Sequence, residues 1–257
     1  MLIRLISLFR FHLDCLKVYF RKGVKWDATT LWRFLRQCFY YFANETYCWF
    51  VYSAEALRFM ALGQLKHIDK ALNLKYVYPS QFMLALREGL KVEKPETLYR
   101  LTYGETTWFG INTALKAVEA TPKDVFYDLG CGTGRNVFFA NQVFGMRATG
   151  IDLLPSFVKY ASEVARQFQL DQVHFLEQNI FESDLSQATV VYITANCYDA
   201  QTMPLLVERL NALSVGARVI STHRAIPSPR LKVTAYQLVP FSWGVDKLFY
   251  HSVVDPA

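Results

Sequence analysis

The sequence predicts an α/β protein: a doubly wound, mostly parallel sheet closed by an antiparallel β-hairpin and preceded by an α-helical region. Three observations carry this. Apolar residues recur at three- and four-residue spacing through the first 95 positions, and no proline occurs before Pro79. From about residue 125, short apolar runs alternate with amphipathic segments, the pattern of parallel strands joined by helical crossovers. The last two runs, 232–241 and 247–254, lie too close for a helix between them, so they pair antiparallel. Segment 91–96, charged and carrying Pro95, divides a helical region (1–95) from the α/β domain (96–257).

In the helical region, Leu31, Phe34, Leu35, Cys38, Phe39 and Phe42 fall on helical spacing, and Asp27 is an N-cap candidate for a helix entering near Thr29. Residues 34–62 are aromatic and apolar, but Arg36, Glu45, Glu55 and Arg58 interrupt them, so they read as a pair of core helices. Residues 1–20 are broken by Arg4, Arg10, Asp14 and Lys17, short of the roughly 18 uninterrupted apolar residues of a spanning helix. No small-residue cleavage site follows them. A packed helix and an interfacial helix with snorkelling basic residues both remain open for that segment. Strands are expected at 125–129, 147–153, 174–178, 190–195 and 217–223, and helices at 136–144, 155–168 and 203–213.

The composition, 52% hydrophobic and 19% charged over 257 residues, is that of a globular chain and excludes collagen-like, disulfide-framework and disordered classes. Cys15, Cys38, Cys48, Cys131 and Cys197 are scattered with no CxxC pair, which points to a reducing compartment, the cytoplasm. The five histidines are dispersed as well, so no metal site is expected. Residues 1–36 hold eight Lys/Arg against Asp14 and Asp27, so this end alone accounts for the chain's net charge of +6. The basic end is a candidate docking surface for an acidic partner or a membrane surface, giving peripheral membrane association.

The chemistry concentrates in Asp128-Leu-Gly130-Cys-Gly132-Thr-Gly134, placed after a strand and opening a helix. Glycines there allow a tight turn and a close approach of ligand to backbone. Asp152 ends the next strand, where an acid accepts ribose hydroxyls. A dinucleotide loop reads GxGxxG and has no acid before it, because a pyrophosphate must sit there. This loop reads GxGxG, and the carboxylate of Asp128 suits a cationic amine instead, as carried by S-adenosylmethionine (SAM). The motif resembles the Rossmann-like class I (seven-strand) SAM-dependent methyltransferases.

Upstream stands Leu101-Thr-Tyr103-Gly104-Glu105-Thr106, and downstream Phe241-Ser-Trp243 followed by Leu248-Phe-Tyr250-His251. With the glycine loop these segments resemble the non-SET histone lysine methyltransferases, the disruptor-of-telomeric-silencing-like family, over about three fifths of the chain. The resemblance implies that Tyr103, Glu105 and Thr106 form a loop over the methionine end and the methyl exit. It assigns Asp128, Gly130, Gly132 and Gly134 to the methionine moiety and Asp152 to the ribose. Asn179 and Ile180 fall where the family has an Asp-Phe pair at the adenine, and Thr194-Ala195 where it has Asn-Asn. Tyr103, Thr194, Asn196, Tyr198 and Tyr250 are the candidates around the transferring methyl, with Tyr250 chosen because a two-residue shift keeps the strand face.

Three readings stay open at this point. The first is a SAM-dependent protein lysine N-methyltransferase with a protein substrate. The second is a SAM-dependent methyltransferase of a small molecule, lipid or nucleic acid. The third is a catalytically silent SAM-binding scaffold.

Overall fold

The computed structural model describes residues 27–92 and 103–255. The expectations for residues 1–20 and for the boundary at 91–96 fall wholly or partly outside them. Asp27 precedes α1 (Ala28–Arg58), a single helix of 31 residues. The expected pair of core helices is therefore one helix: no glycine or proline interrupts it, and Gly63 is the first breaker after its start. Nor is it wholly core, because Trp32, Phe39, Phe42 and Phe50 are exposed along its outer side. Two shorter helices follow, α2 (Gly63–Lys75) and α3 (Gln81–Val92).

The remainder is α4 (Trp108–Ala117), β1 (Val125–Leu129), α5 (Arg135–Phe144), β2 (Arg147–Asp152), α6 (Pro155–Gln167), β3 (Val173–Glu177), β4 (Val190–Ile193), α7 (Met203–Asn211), β5 (Arg218–Thr222), β6 (Leu231–Phe241) and β7 (Gly244–Val253). Every strand and helix expected beyond residue 125 is present. Helix α4 was not anticipated: its buried Trp108, Ile111, Ala114 and Leu115 leave little amphipathic contrast, so the sequence carries a weak periodic signal. Thr107 caps it by accepting from the Gly110 N–H.

The strands form one seven-stranded sheet in the order β3-β2-β1-β4-β5-β7-β6. The first five run parallel, and β7 enters antiparallel between β5 and β6. Central strand β4 is buried throughout, as expected of a strand covered on both faces. One core lies beneath α4, α5 and α6; the other, beneath α7, joins Leu129, Val191, Leu206 and Val219. Phe59, Leu65, Ile68 and Leu72 of the helical region share the first core with Trp108, Phe139 and Ala161.

A buried ionic cluster fastens that region to the sheet. Arg135, first residue of α5, donates from Nη2 to Glu55 Oε2 (2.8 Å) and from Nε to Asp69 Oδ1 (2.9 Å). The second oxygen of Glu55 accepts the backbone N–H of Trp108. The guanidinium also lies over the Trp108 ring at 4.6 Å. Burial opposes the charge, but the carboxylates of Glu55 and Asp69 outweigh it and raise Arg135 above its ordinary pKa. Removing one partner of such a pair leaves a buried charge uncompensated. Glu55→Ala is expected to lower the unfolding free energy by about 3–5 kcal/mol; a urea melt unchanged from wild type would contradict the role given to this cluster.

Candidate active site

The carboxyl ends of β1, β2 and β4 open into a cavity of about 750 Å³, at the place where ligands bind in open parallel sheets. The sequence that follows β1 makes its floor. Gly130, Gly132 and Gly134 all have positive φ (80°, 50° and 80°), a region that disfavours any side chain. At Gly130 nothing lies within 4 Å of where a Cβ would stand, so the backbone faces open space. At Gly134 a Cβ would meet the Phe175 ring at 2.4 Å, so this glycine brings α5 close onto the sheet.

Both predicted acids lie on the cavity. Asp128 is buried, accepts a long bond from Asn136 Nδ2 (3.3 Å), and burial pushes its carboxyl up to about 7. Asp152 accepts from the backbone N–H of Gly132 (2.8 Å) and of Leu154 (2.9 Å), and burial pushes it up to about 6 despite those bonds. Arg135 also lines the cavity, and its buried Nη1 has no hydrogen-bond partner among the described residues. Once Asp128 is ionised, its carboxylate and the nearby guanidinium are together complementary to a zwitterionic amino-acid end.

The upstream segment closes over this floor. Tyr103 stacks on Phe157 with ring centroids 5.4 Å apart, and its ring lies against Gly132, where a Cβ would meet it at 3.0 Å. Its hydroxyl donates to Glu105 Oε1 (2.7 Å), while Tyr52 of α1 donates to Glu105 Oε2 (3.0 Å). Thr106 borders the cavity, but its hydroxyl is bonded to the Tyr192 hydroxyl (2.7 Å) and its backbone bridges to Phe241. The Glu105 backbone makes two bonds to Ser242 of the β6–β7 turn: its N–H donates to the side-chain Oγ (2.8 Å), and its carbonyl accepts the Ser242 N–H (3.0 Å). The Tyr-Gly-Glu-Thr and Ser-Trp segments, 137 residues apart at that bond, are thus adjacent, and Trp243 fills the space beside Gly104.

Around the rest of the rim, Asn179, Ile180, Thr194, Asn196 and Tyr198 all line the cavity. Asn179 uses its amide locally, accepting from the Phe181 N–H (3.1 Å), and so offers less to a ligand than its position implied. The Asn196 side chain accepts from Cys197 Sγ (3.0 Å). Arg224 donates to the carbonyls of Ala195 and Tyr198 and holds this turn to the end of β5. Tyr250 does not reach the cavity. The two-residue shift kept the strand face, but that face is the one packed beneath α4, so Tyr250 is 3% exposed and donates to Gln237 Oε1 (2.7 Å). Trp243, stacked on Phe241 at 4.4 Å, is the downstream aromatic that lines the cavity.

Sequence reasoning missed the wall supplied by α1, α2 and α3, including Asn44, Glu45, Cys48, Tyr52, Asn73 and Phe82. Phe181 and Leu153 also went unnamed; the position directly after the ribose acid was the one available signal. His251 is buried and structural, with Nε2 accepting from the Ile226 N–H (3.2 Å). Among the described residues, no group of three His, Cys, Asp or Glu could hold a metal ion.

Residues 128–232 match a family model described as the ANTKMT methyltransferase domain. The chain is a class I SAM-dependent methyltransferase. A protein-lysine N-methyltransferase of Saccharolobus islandicus (strain REY15A) is 28% identical over 115 residues, 43% of this chain and 69% of that one. A histone-lysine N-methyltransferase of Caenorhabditis elegans, H3 lysine-79 specific, is 30% identical over 137 residues; the match spans 14% of its length. The crystal structure of TrmN from Thermus thermophilus superposes with a TM-score of 0.50 at 17% identity, over 66% of this chain and 53% of that one, and shares the fold.

The residues present fit SAM. Asp128 would hold the α-amine and Asp152 the ribose through its remaining lone pairs, Gly130 leaves the backbone accessible, and the Arg135 guanidinium beside the cavity supplies positive charge for the carboxylate end. Asp128→Asn is expected to abolish SAM binding measured by calorimetry while the thermal melt of the empty protein persists. The methyltransferase must also ionise Asp128 to receive a cationic amine. SAM affinity should therefore fall by up to about tenfold per pH unit below pH 7; a flat titration between pH 5.5 and 8 would remove Asp128 from the site.

Proposed function

We propose that this methyltransferase modifies the ε-amine of a lysine in a protein substrate. What carries the reading is that Tyr103, Tyr198 and Trp243, from three distant segments, line one cavity together with Asp128 and Asn196. The lysine activities named for the two relatives support it. When bound, SAM supplies an electrophilic methyl group carried on a sulfonium.

The chain's residues then have to deliver a neutral amine to that methyl. A lysine ammonium has a pKa of about 10.4 and no lone pair to attack with until it loses a proton. Glu45 and Glu105 at the cavity wall draw the cation in. Closer to the reacting centre, aromatic walls disfavour the charged form by desolvation. Burial pushes the phenols of Tyr103 and Tyr198 upward, so both remain protonated and act as walls and donors, not as bases. The proton leaves to water before attack, and the ring faces accommodate the methylated cation afterwards. Asn196 stands in the turn after β4, and the second lone pair of its carboxamide oxygen can accept from the incoming nitrogen.

The reading is tested by incubating the protein with methyl-labelled SAM and cell lysate. Label is expected in protease-sensitive, nuclease-resistant material that yields methyl-lysine on hydrolysis; label extracted into organic solvent or released by nuclease would overturn the lysine assignment. Asn196→Ala should lower kcat at least about tenfold and leave the SAM Kd unchanged.

A further inference from the structure

The two sides of α1 differ in kind. Its inner side carries Cys48 and Tyr52 at the cavity and Glu55 in the ionic cluster. Its outer side presents Trp32, Leu35, Phe39, Phe42, Phe50 and Leu57, each between 51% and 73% exposed. At 3.6 residues per turn these six fall within an arc of about 80°, one continuous stripe along a helix about 46 Å long. Large contiguous exposed apolar patches are uncommon on monomeric soluble proteins and mark interaction sites. Phe50 extends the patch sideways into an open apolar groove shared with Phe109 of α4 and Leu238 of the edge strand β6.

Charge along the helix is also segregated. Its two acids are Glu45, on the cavity wall, and Glu55, in the buried cluster. Its three basic residues, Arg33, Arg36 and Arg58, are exposed, and Arg21, Lys22 and Lys25 precede it in the sequence. An amphipathic helix with an aromatic stripe, outward arginines and no outward acid along its length, exposed Asp27 standing just before its first residue, has the chemistry of an interfacial helix. Tryptophans such as Trp32 and Trp49 favour the headgroup boundary. No described helix is long and apolar enough to cross a membrane.

We propose that the outer face of α1 is a membrane-docking surface that seats the enzyme on an anionic bilayer, with the apolar stripe in the headgroup region and the arginines on acidic lipids. The groove at Phe50, Phe109 and Leu238 widens the contact, and the active-site wall on the opposite side of the same helix is held near the bilayer.

The test uses the full chain and phosphatidylcholine vesicles with or without about 30% phosphatidylglycerol. The protein is expected to co-sediment with the anionic vesicles, and to do so more weakly with neutral ones and at about 0.5 M salt. Combined Trp32→Ala, Phe39→Ala and Phe42→Ala should lower the partition coefficient at least about tenfold, with the SAM Kd and thermal melt unchanged. Equal partitioning of wild type and variant, or no binding of wild type, overturns the proposal. So does light scattering in which the variant loses self-association while vesicle binding persists, since the stripe would then join copies of the chain.

Discussion

A single guanidinium, that of Arg135, is the constraint on which the rest of the structure depends. It belongs to the first residue after the glycine loop, so its position and that of the loop are inseparable. It is buried, and it stays buried only because Glu55 of α1 and Asp69 of α2 approach it from the helical region. Glu55 in turn occupies the backbone N–H at the start of α4. Four helices are thus registered on the turn that holds the cofactor. The helical region is a wall of the site, and the remaining guanidinium nitrogen is buried beside it without a hydrogen-bond partner among the described residues.

The electrostatics of the empty site run against its own acids. Asp128 and Asp152 lie at neighbouring strand ends, and burial raises both. In the empty site their ionised forms are disfavoured by burial. A ligand with a cationic amine and paired ribose hydroxyls relieves this, so part of its affinity comes from groups whose free state is uncomfortable. A second enclosure comes from the pairing of residue 105 with residue 242, which sets the Tyr103 ring over Gly132 and the Trp243 ring beside Gly104.

Most of the α/β half was legible in the sequence, because alternation of apolar runs with amphipathic helices is a strong periodic signal. The glycine loop, Asp128 and Asp152 were legible because glycines of positive φ and strand-end acids occupy fixed places in the turn. Helix α4 was not, since a helix buried on most sides loses its polar stripe. The placement of Tyr250 failed for a related reason: alternation in β7 gives the face of a residue, but not which layer packs on that face. The α1 wall was invisible because Tyr52 and Glu55 meet the site through contacts 53 and 80 residues away in sequence, which local patterning does not encode.

That separation has a consequence for how the chain assembles. Glu55 leaves the ribosome well before Arg135, and its counter-charge exists only once β1 and the glycine loop have been made. Until then the acid stays in water and α1 has no inner surface to dock against. The catalytic half can collapse locally, strand by helix by strand, but its cofactor pocket closes late, when the earlier-made helix α1 folds back onto the later-made α5. Completion of the ligand site is thereby a report that both halves of the polypeptide have arrived.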